Sequence, residues 1–283
     1  MKKSFSPKLV SLAGAVFAVM AVPSQAAMYE WNFNSSFAAG SGQSCTGGNG
    51  DSANCKTTFT SVTGGLTLTA RAYSTPTYDV GLPFDVSGAW KLANIAGYGS
   101  SGLGIANRVG LDTGEGASPE HAVDNEGVKD VLVLELPAGS VWDPSAMKLG
   151  FGTDTDVQVW VGGTALGANY DFSNACFSGC ANAIVANLGF KEITASMGNG
   201  GAGAGAGAGG YDLPFNNTPV NFNTNETGRY VVITGRLDHS ADAFKVSGLG
   251  ASQFFGQTPI PGSLALLGAG LIGFAASRRR AIA

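Results

Sequence analysis

The stretch VKDVLVLEL, Val128 to Leu136, is apolar at four successive positions, Val131 to Leu134, between Asp130 and Glu135. A strand with one wet face alternates apolar and polar residues. An unbroken apolar run of this length suits a strand covered on both faces. Its neighbours alternate with period two, as in LTLTARAY (Leu66 to Tyr73) and DVQVWVGG from Asp156. GRYVVITGRL (Gly228 to Leu237) and DAFKVSGLG (Asp242 to Gly250) add two late strands, and MYEWNFN from Met28 adds the first. Between them lie Gly, Asn, Asp and Ser turns, with 43 glycines in 283 residues and few long helical patterns. Short strands joined by polar turns predict an all-β domain, an antiparallel β-sandwich of jelly-roll-like topology. A short β-solenoid is the alternative, and the chain shows no repeat of 20–30 residues to support it.

Both ends read as addresses. Lys2, Lys3 and Lys8 precede the apolar run Leu9 to Val22 and then PSQAA, with Ser24 and Ala26 at the small-residue positions of a cleavage site. This is the pattern of a secretory signal peptide, residues 1–26, with the mature chain beginning at Ala27. The C-terminus reads TPIPGSLALLGAGLIGFAASRRRAIA, with Pro259 and Pro261 bracketing one residue, an apolar run from Leu264 to Ala276, and Arg278, Arg279 and Arg280 behind it. Such a short run, dominated by small residues, barely spans a bilayer, and trailing arginines stay on the cytoplasmic side. It predicts a C-terminal transmembrane helix that holds the domain transiently at the inner membrane.

The tail, residues 258–283, resembles the PEP-CTERM sorting signal of exosortase substrates: a Pro-Glu-Pro element, an apolar helix and a basic end. Ile260 stands where that family usually has Glu. The resemblance implies an exosortase-type processing enzyme as partner and removal of the tail near Pro259 and Pro261. It also implies transfer to the outer surface or extracellular matrix of a Gram-negative bacterium.

Between the two ends, residues 27–257 form one secreted β domain of about 230 residues. Six of the 16 Lys and Arg lie in the two end segments and all 20 acids lie between them, so ten bases face 20 acids and the domain carries −10. That surface repels phosphate and excludes nucleic acid as a partner. It favours solubility and divalent cations.

Four cysteines form two local pairs, Cys45 with Cys55 and Cys176 with Cys180, each flanking turn-formers. In an oxidising compartment each pair is expected to be a disulfide clipping one loop, worth about 2–3 kcal/mol. Neither pair has the Cys-x-x-Cys spacing of a redox motif or a nearby histidine for zinc. GNGGAGAGAGAGG, Gly198 to Gly210, buries little side-chain surface and costs much ordering entropy. It is expected to be a surface insertion between strands within the domain.

Sequence motifs give catalysis little support. GYGSSG, Gly97 to Gly102, has the spacing of a dinucleotide loop, but the glycine-rich text after it opens no helix. No Gly-x-Ser-x-Gly elbow occurs, and the only histidines are His121 in the acidic stretch and His239 in LDHSAD, which reads as a hairpin turn. Trp31, Trp90, Trp142 and Trp160 either fill the core or line a sugar platform. The remaining candidate is acidic: Asp112, Glu115, Glu120, Asp124, Glu126 and Asp130 crowd into 19 positions. Calcium takes six to eight loop oxygens, so Asp112, Glu115, Glu120, Asp124 and Asn125 are its candidate ligands. The stretch lacks the register of an EF-hand loop. The competing reading needs no ion: Pro119 stiffens SPEHAVDN, His121, Asp124 or Asn125 bond loop amides, and Gly127 releases the chain into VKDVLVLEL.

The segment from Gly102 to Leu136 and the later DAFKVSGL also resemble the ectodomain of one family of exosortase-dependent surface proteins, in which a Gly-rich segment leads to SPEHAVDN and a hydrophobic strand. That resemblance implies one secreted β domain joined to a sorting tail and lends no catalytic residue. The expected function is that of a non-catalytic surface or matrix protein, active in the envelope, the extracellular polysaccharide or a biofilm. A calcium-dependent carbohydrate-binding module is the first alternative and a secreted hydrolase the second. No cofactor is assigned, calcium being the one candidate.

Overall fold

A computed structural model describes residues 27–37, 56–74, 89–106, 122–125, 129–176, 182–194, 211–212, 216–222, 225–236 and 242–254. Its strands are β1 (Met28–Asn32), β2 (Ser36–Phe37), β3 (Lys56–Thr60), β4 (Thr67–Ser74), β5 (Lys91–Tyr98), β6 (Leu103–Ala106), β7 (Val123–Asp124), β8 (Asp130–Glu135) and β9 (Val141–Asp154). They continue with β10 (Asp156–Gly162), β11 (Ala175–Cys176), β12 (Asn182–Ala183), β13 (Lys191–Glu192), β14 (Tyr211–Asp212), β15 (Val220–Asn221), β16 (Tyr230–Gly235) and β17 (Ala243–Phe254). Among the described residues two helical turns interrupt them, a 3-10 turn at Gly99–Ser101 and an α-helical turn at Ile184–Asn187.

Pairing runs through one antiparallel sheet in the order β13-β10-β16-β8-β4-β5-β6-β17-β9-β15, with β11 and β12 a separate parallel pair. The all-β, antiparallel expectation therefore holds. The sheet is continuous and curls like a half-barrel because β5 serves both halves. Its first residues pair with β4 (Tyr73↔Leu92, Ala72↔Ala93) and its last with β6 (Ile95↔Ile105, Gly97↔Leu103). Ala93, Ala96, Gly97 and Gly104 keep side-chain bulk low where the strand changes partner, which permits strong local twist. GYGSSG closes this corner as a tight turn, with the Tyr98 amide donating to the Gly102 carbonyl at 2.9 Å. It is a hairpin turn, with no helix after it.

Two apolar clusters lie on opposite sides of the sheet, and VKDVLVLEL explains both. Leu132 and Leu134 point into the curl with Trp31, Phe33, Ile95, Trp142, Val159, Ile233, Phe244 and Leu249. Val131 and Val133 point outward, beneath an aromatic layer of Tyr73, Trp90, Trp160, Phe172, Phe190 and Tyr230. Every residue of β8 is buried, as an apolar run without alternation requires. The neighbouring β16 divides the same way, with Val231 and Ile233 inward and Tyr230 and Val232 outward. Residues 163–176 and 182–190 supply the outer cover.

β16 and β17 are not a hairpin, contrary to the expectation for LDHSAD. β16 pairs with β8 and β10, whereas β17 pairs with β1, β6, β7 and β9. The connection therefore carries the chain from one half of the curled sheet to the other. His239 itself lies outside the described residues.

Candidate functional site

The first and last strands of the domain are neighbours. β1 lies antiparallel on β17, with Met28 opposite Ser252 and Trp31 opposite Leu249, and the Gln253 amide donates to the Ala27 carbonyl at 3.1 Å. Lys148 of β9 forms an ion pair with Glu30 of β1 across β17. Both ends of the domain thus leave from one place in the sheet. Ala27 follows directly on the proposed signal peptide, and β17 ends at Phe254, a few residues before Pro259. Pro259, Pro261, Arg278, Arg279 and Arg280 lie outside the described residues. Among the described residues no helix is long and apolar enough to cross a membrane.

The acidic stretch enters the structure at its end. Asp112, Glu115, Glu120 and His121 lie outside the described residues, and Asp124 and Asn125 lie within them. Asp124 belongs to β7, opposite Ala243 of β17. Asn125 is fully buried and clamps the connection between β16 and β17. Its side-chain nitrogen donates to the Arg236 carbonyl at 2.6 Å and to the Asp242 carboxylate, and its side-chain oxygen accepts from the Asp242 amide at 2.9 Å. The Asp242 carboxylate also accepts from the Arg236 amide at 2.9 Å, and buried Lys129 donates to the Asn125 carbonyl. Beside this clamp, Asp130 accepts from the Ser74 hydroxyl at 2.6 Å and Arg236 faces Asp156 at 3.7 Å. Among the described residues no three His, Cys, Asp or Glu side chains gather as a metal site.

A second polar cluster, which sequence reading missed, ties the outer cover to the sheet. Glu135, at the outward end of β8, accepts from Arg71 at 2.9 Å, from Arg229 at 3.0 Å, and from the Asn169 amide at 3.0 and 3.2 Å. Arg71 is fully buried and gives a second bond to the Asn169 side-chain oxygen at 2.7 Å. Asn169 holds a positive φ of 56°, a conformation that Asn tolerates better than most residues. Nearby, the Tyr230 hydroxyl donates to the Gly167 carbonyl at 2.5 Å, and the Phe172 amide donates to the Tyr73 hydroxyl at 3.4 Å. Burial pushes the Tyr73 and Tyr230 phenols above their usual value near 10, and the hydrogen bonds they accept oppose the shift only partly. The signal was present in the sequence: Arg71 and Glu135 are opposite charges inside strand patterns whose every neighbour asks for burial.

The four tryptophans are all in the interior. Trp31, Trp90 and Trp142 are 0 % exposed and Trp160 is 3 % exposed, so none presents a stacking face to a sugar ring. Trp31 and Trp142 meet edge to face at 5.6 Å in the inner core, and Trp90 stacks on Phe172 at 6.0 Å in the outer one. Cys176 is buried in that outer layer, while Cys45, Cys55 and Cys180 lie outside the described residues.

The PEP-CTERM protein-sorting motif matches residues 257–280. That span takes in Pro259, Pro261, the apolar run and the three arginines, and it tolerates Ile260. The chain is therefore a PEP-CTERM sorting-signal protein, marked for exosortase processing and for secretion through a membrane-anchored intermediate. No curated protein and no solved structure matches it.

Proposed function

We propose that this sorting-signal protein is a non-catalytic component of the outer surface or extracellular matrix of a Gram-negative bacterium. Its domain, 27–257, is delivered between a cleaved signal peptide and a C-terminal helix that is removed after anchoring. The observation that carries the reading is the sorting motif at 257–280, which begins three residues after β17 ends. The meeting of β1 and β17 supports it, because both membrane-directed segments then leave the domain side by side. One core draws residues from both halves of the curled sheet, which supports the sandwich reading, and two local disulfides, Cys45–Cys55 and Cys176–Cys180, would add stability outside the cell. Extracellular polysaccharide is the proposed neighbour, by adhesion or entrapment.

Calcium at the acidic stretch is a separate proposal. Its oxygens would come from Asp112, Glu115, Glu120 and Asp124, since the Asn125 amide is engaged with Arg236 and Asp242. Burial of all four tryptophans gives the carbohydrate-module reading no support beyond that stretch.

Cell fractionation tests the main reading. The wild-type chain is expected outside the outer membrane, and a chain with Arg278, Arg279 and Arg280 changed to Ser is expected to escape anchoring and lose surface display. Equal surface display of both chains would sink it.

A further inference from the structure

The Gly/Ala-rich segment is flanked by two short strands that lie on the same side of β10. β13 places Lys191 opposite Val161 and Glu192 opposite Trp160. β14 places Tyr211 opposite Val157 and Asp212 opposite Asp156. Between them, the Ile193 amide donates to the Val159 carbonyl at 2.8 Å, and the Val159 amide donates to the Thr194 hydroxyl at 3.2 Å. Following the antiparallel step from Glu192 puts position 194 opposite Gln158. The next place on β10, Val157, is taken by Tyr211. The chain thus leaves the ladder after Thr194 and rejoins it one step further on, with 16 residues, 195–210, between.

We propose that Lys191–Thr194 and Tyr211–Asp212 are one edge strand on β10, interrupted in the sequence by a 16-residue insertion that its ladder does not need. An inserted segment leaves a strand's register intact only when no place on the neighbouring ladder is skipped or added. None is skipped here. The side-chain hydroxyl of Thr194 takes the Val159 amide where the strand departs, so the break leaves that donor bonded. The inserted sequence, ASMGNGGAGAGAGAGG, holds no charge and no aromatic ring.

Two changes in the full-length chain test it. Deleting 195–210 joins Thr194 to Tyr211 and removes the closure entropy of a 16-residue loop. The unfolding midpoint is expected to rise by about 4–8 °C. Duplicating the same segment is expected to lower it by no more than about 3 °C, since closure entropy grows only with the logarithm of length. The Val159 amide is expected to stay protected from hydrogen exchange in both variants. A deletion variant that melts below the parent, a duplication that lowers the midpoint further, or fast exchange at Val159 in either chain would each overturn the splice.

Discussion

Glu135→Gln gives the sharpest view of what holds the outer layer on the sheet. Glu135 is the common acceptor for two guanidiniums and the Asn169 amide, and its side chain is 8 % exposed beside a fully buried Arg71. The amide of Gln matches the carboxylate in shape but removes its charge and turns one acceptor into a donor. Two arginines then face a neutral group in a site with little water. Removing one partner of a buried ion pair typically costs about 3–5 kcal/mol, because the remaining charge is left uncompensated. Arg229 softens this, since its side chain is 16 % exposed and can turn toward solvent. Arg71 has no such exit. For a domain of this size each kcal/mol moves the midpoint by about 2–4 °C, so a loss of about 6–20 °C is expected. Thermal unfolding followed by far-UV and near-UV circular dichroism reads both the fold and the aromatic layer of Trp90, Tyr170, Phe172 and Tyr230. The paired change Arg71→Met with Glu135→Leu removes the fully buried charge and its partner together, leaves Arg229 to turn toward solvent and the Asn169 amide without its acceptor, and should recover part of the loss. A midpoint shift under about 2 °C for Glu135→Gln, or a pair no better than the single change, would refute this account of the cover.

Three further outcomes follow from the same geometry. Gly102→Ala places a methyl 2.3 Å from the Val246 carbonyl oxygen at a φ of +94°, so it should cost more than about 2 kcal/mol, measured by denaturant unfolding. Asn125→Ala leaves the Asp242 amide and the Arg236 carbonyl without their buried partner and should cost about 2–4 kcal/mol, with faster proteolysis between β16 and β17. The raised Tyr73 and Tyr230 phenols keep their protons in the folded chain at a pH where an unfolded chain loses them. Their share of stability is therefore full below pH 10 and is lost as pH rises from there toward the folded values. A melting series from pH 8 to 11.5 should be flat to about pH 10 and fall beyond it, more gently in Tyr230→Phe.

How far the sequence could be read depended on whether side chains or backbone carried the information. β1, β4, β8, β10, β16 and the start of β17 follow from apolar periodicity, and the buried outer face of β8 was visible in the unbroken run Val131 to Leu134. β9 was not legible. Val141–Asp154 contains Pro144, Gly150 and Gly152, all of which weaken a strand pattern. In the structure the ladder with β17 shifts register between Gly250 and Ala251, where Ala251 meets Pro144, so the proline sits at an irregularity that needs no amide from it. Gly150 is required because the Ser100 carbonyl oxygen lies 2.3 Å from where a side chain would begin. The corner in β5 was equally hidden, since a strand that changes partner midway looks like any other strand. Asn125 was among the loop-pinning candidates and among the calcium ligands, and spacing alone does not separate the two roles. The Glu135 cluster draws on Arg71, Asn169 and Arg229, brought together from three distant parts of the chain.

The most direct test of the account is the intact mass of the protein recovered from outside the cell. Export with processing at both ends predicts a chain that begins at Ala27 and ends near Pro259 and Pro261, without Arg278, Arg279 and Arg280. A chain that still carries all three arginines in the extracellular fraction, or one found only in the inner membrane at full length, would contradict it.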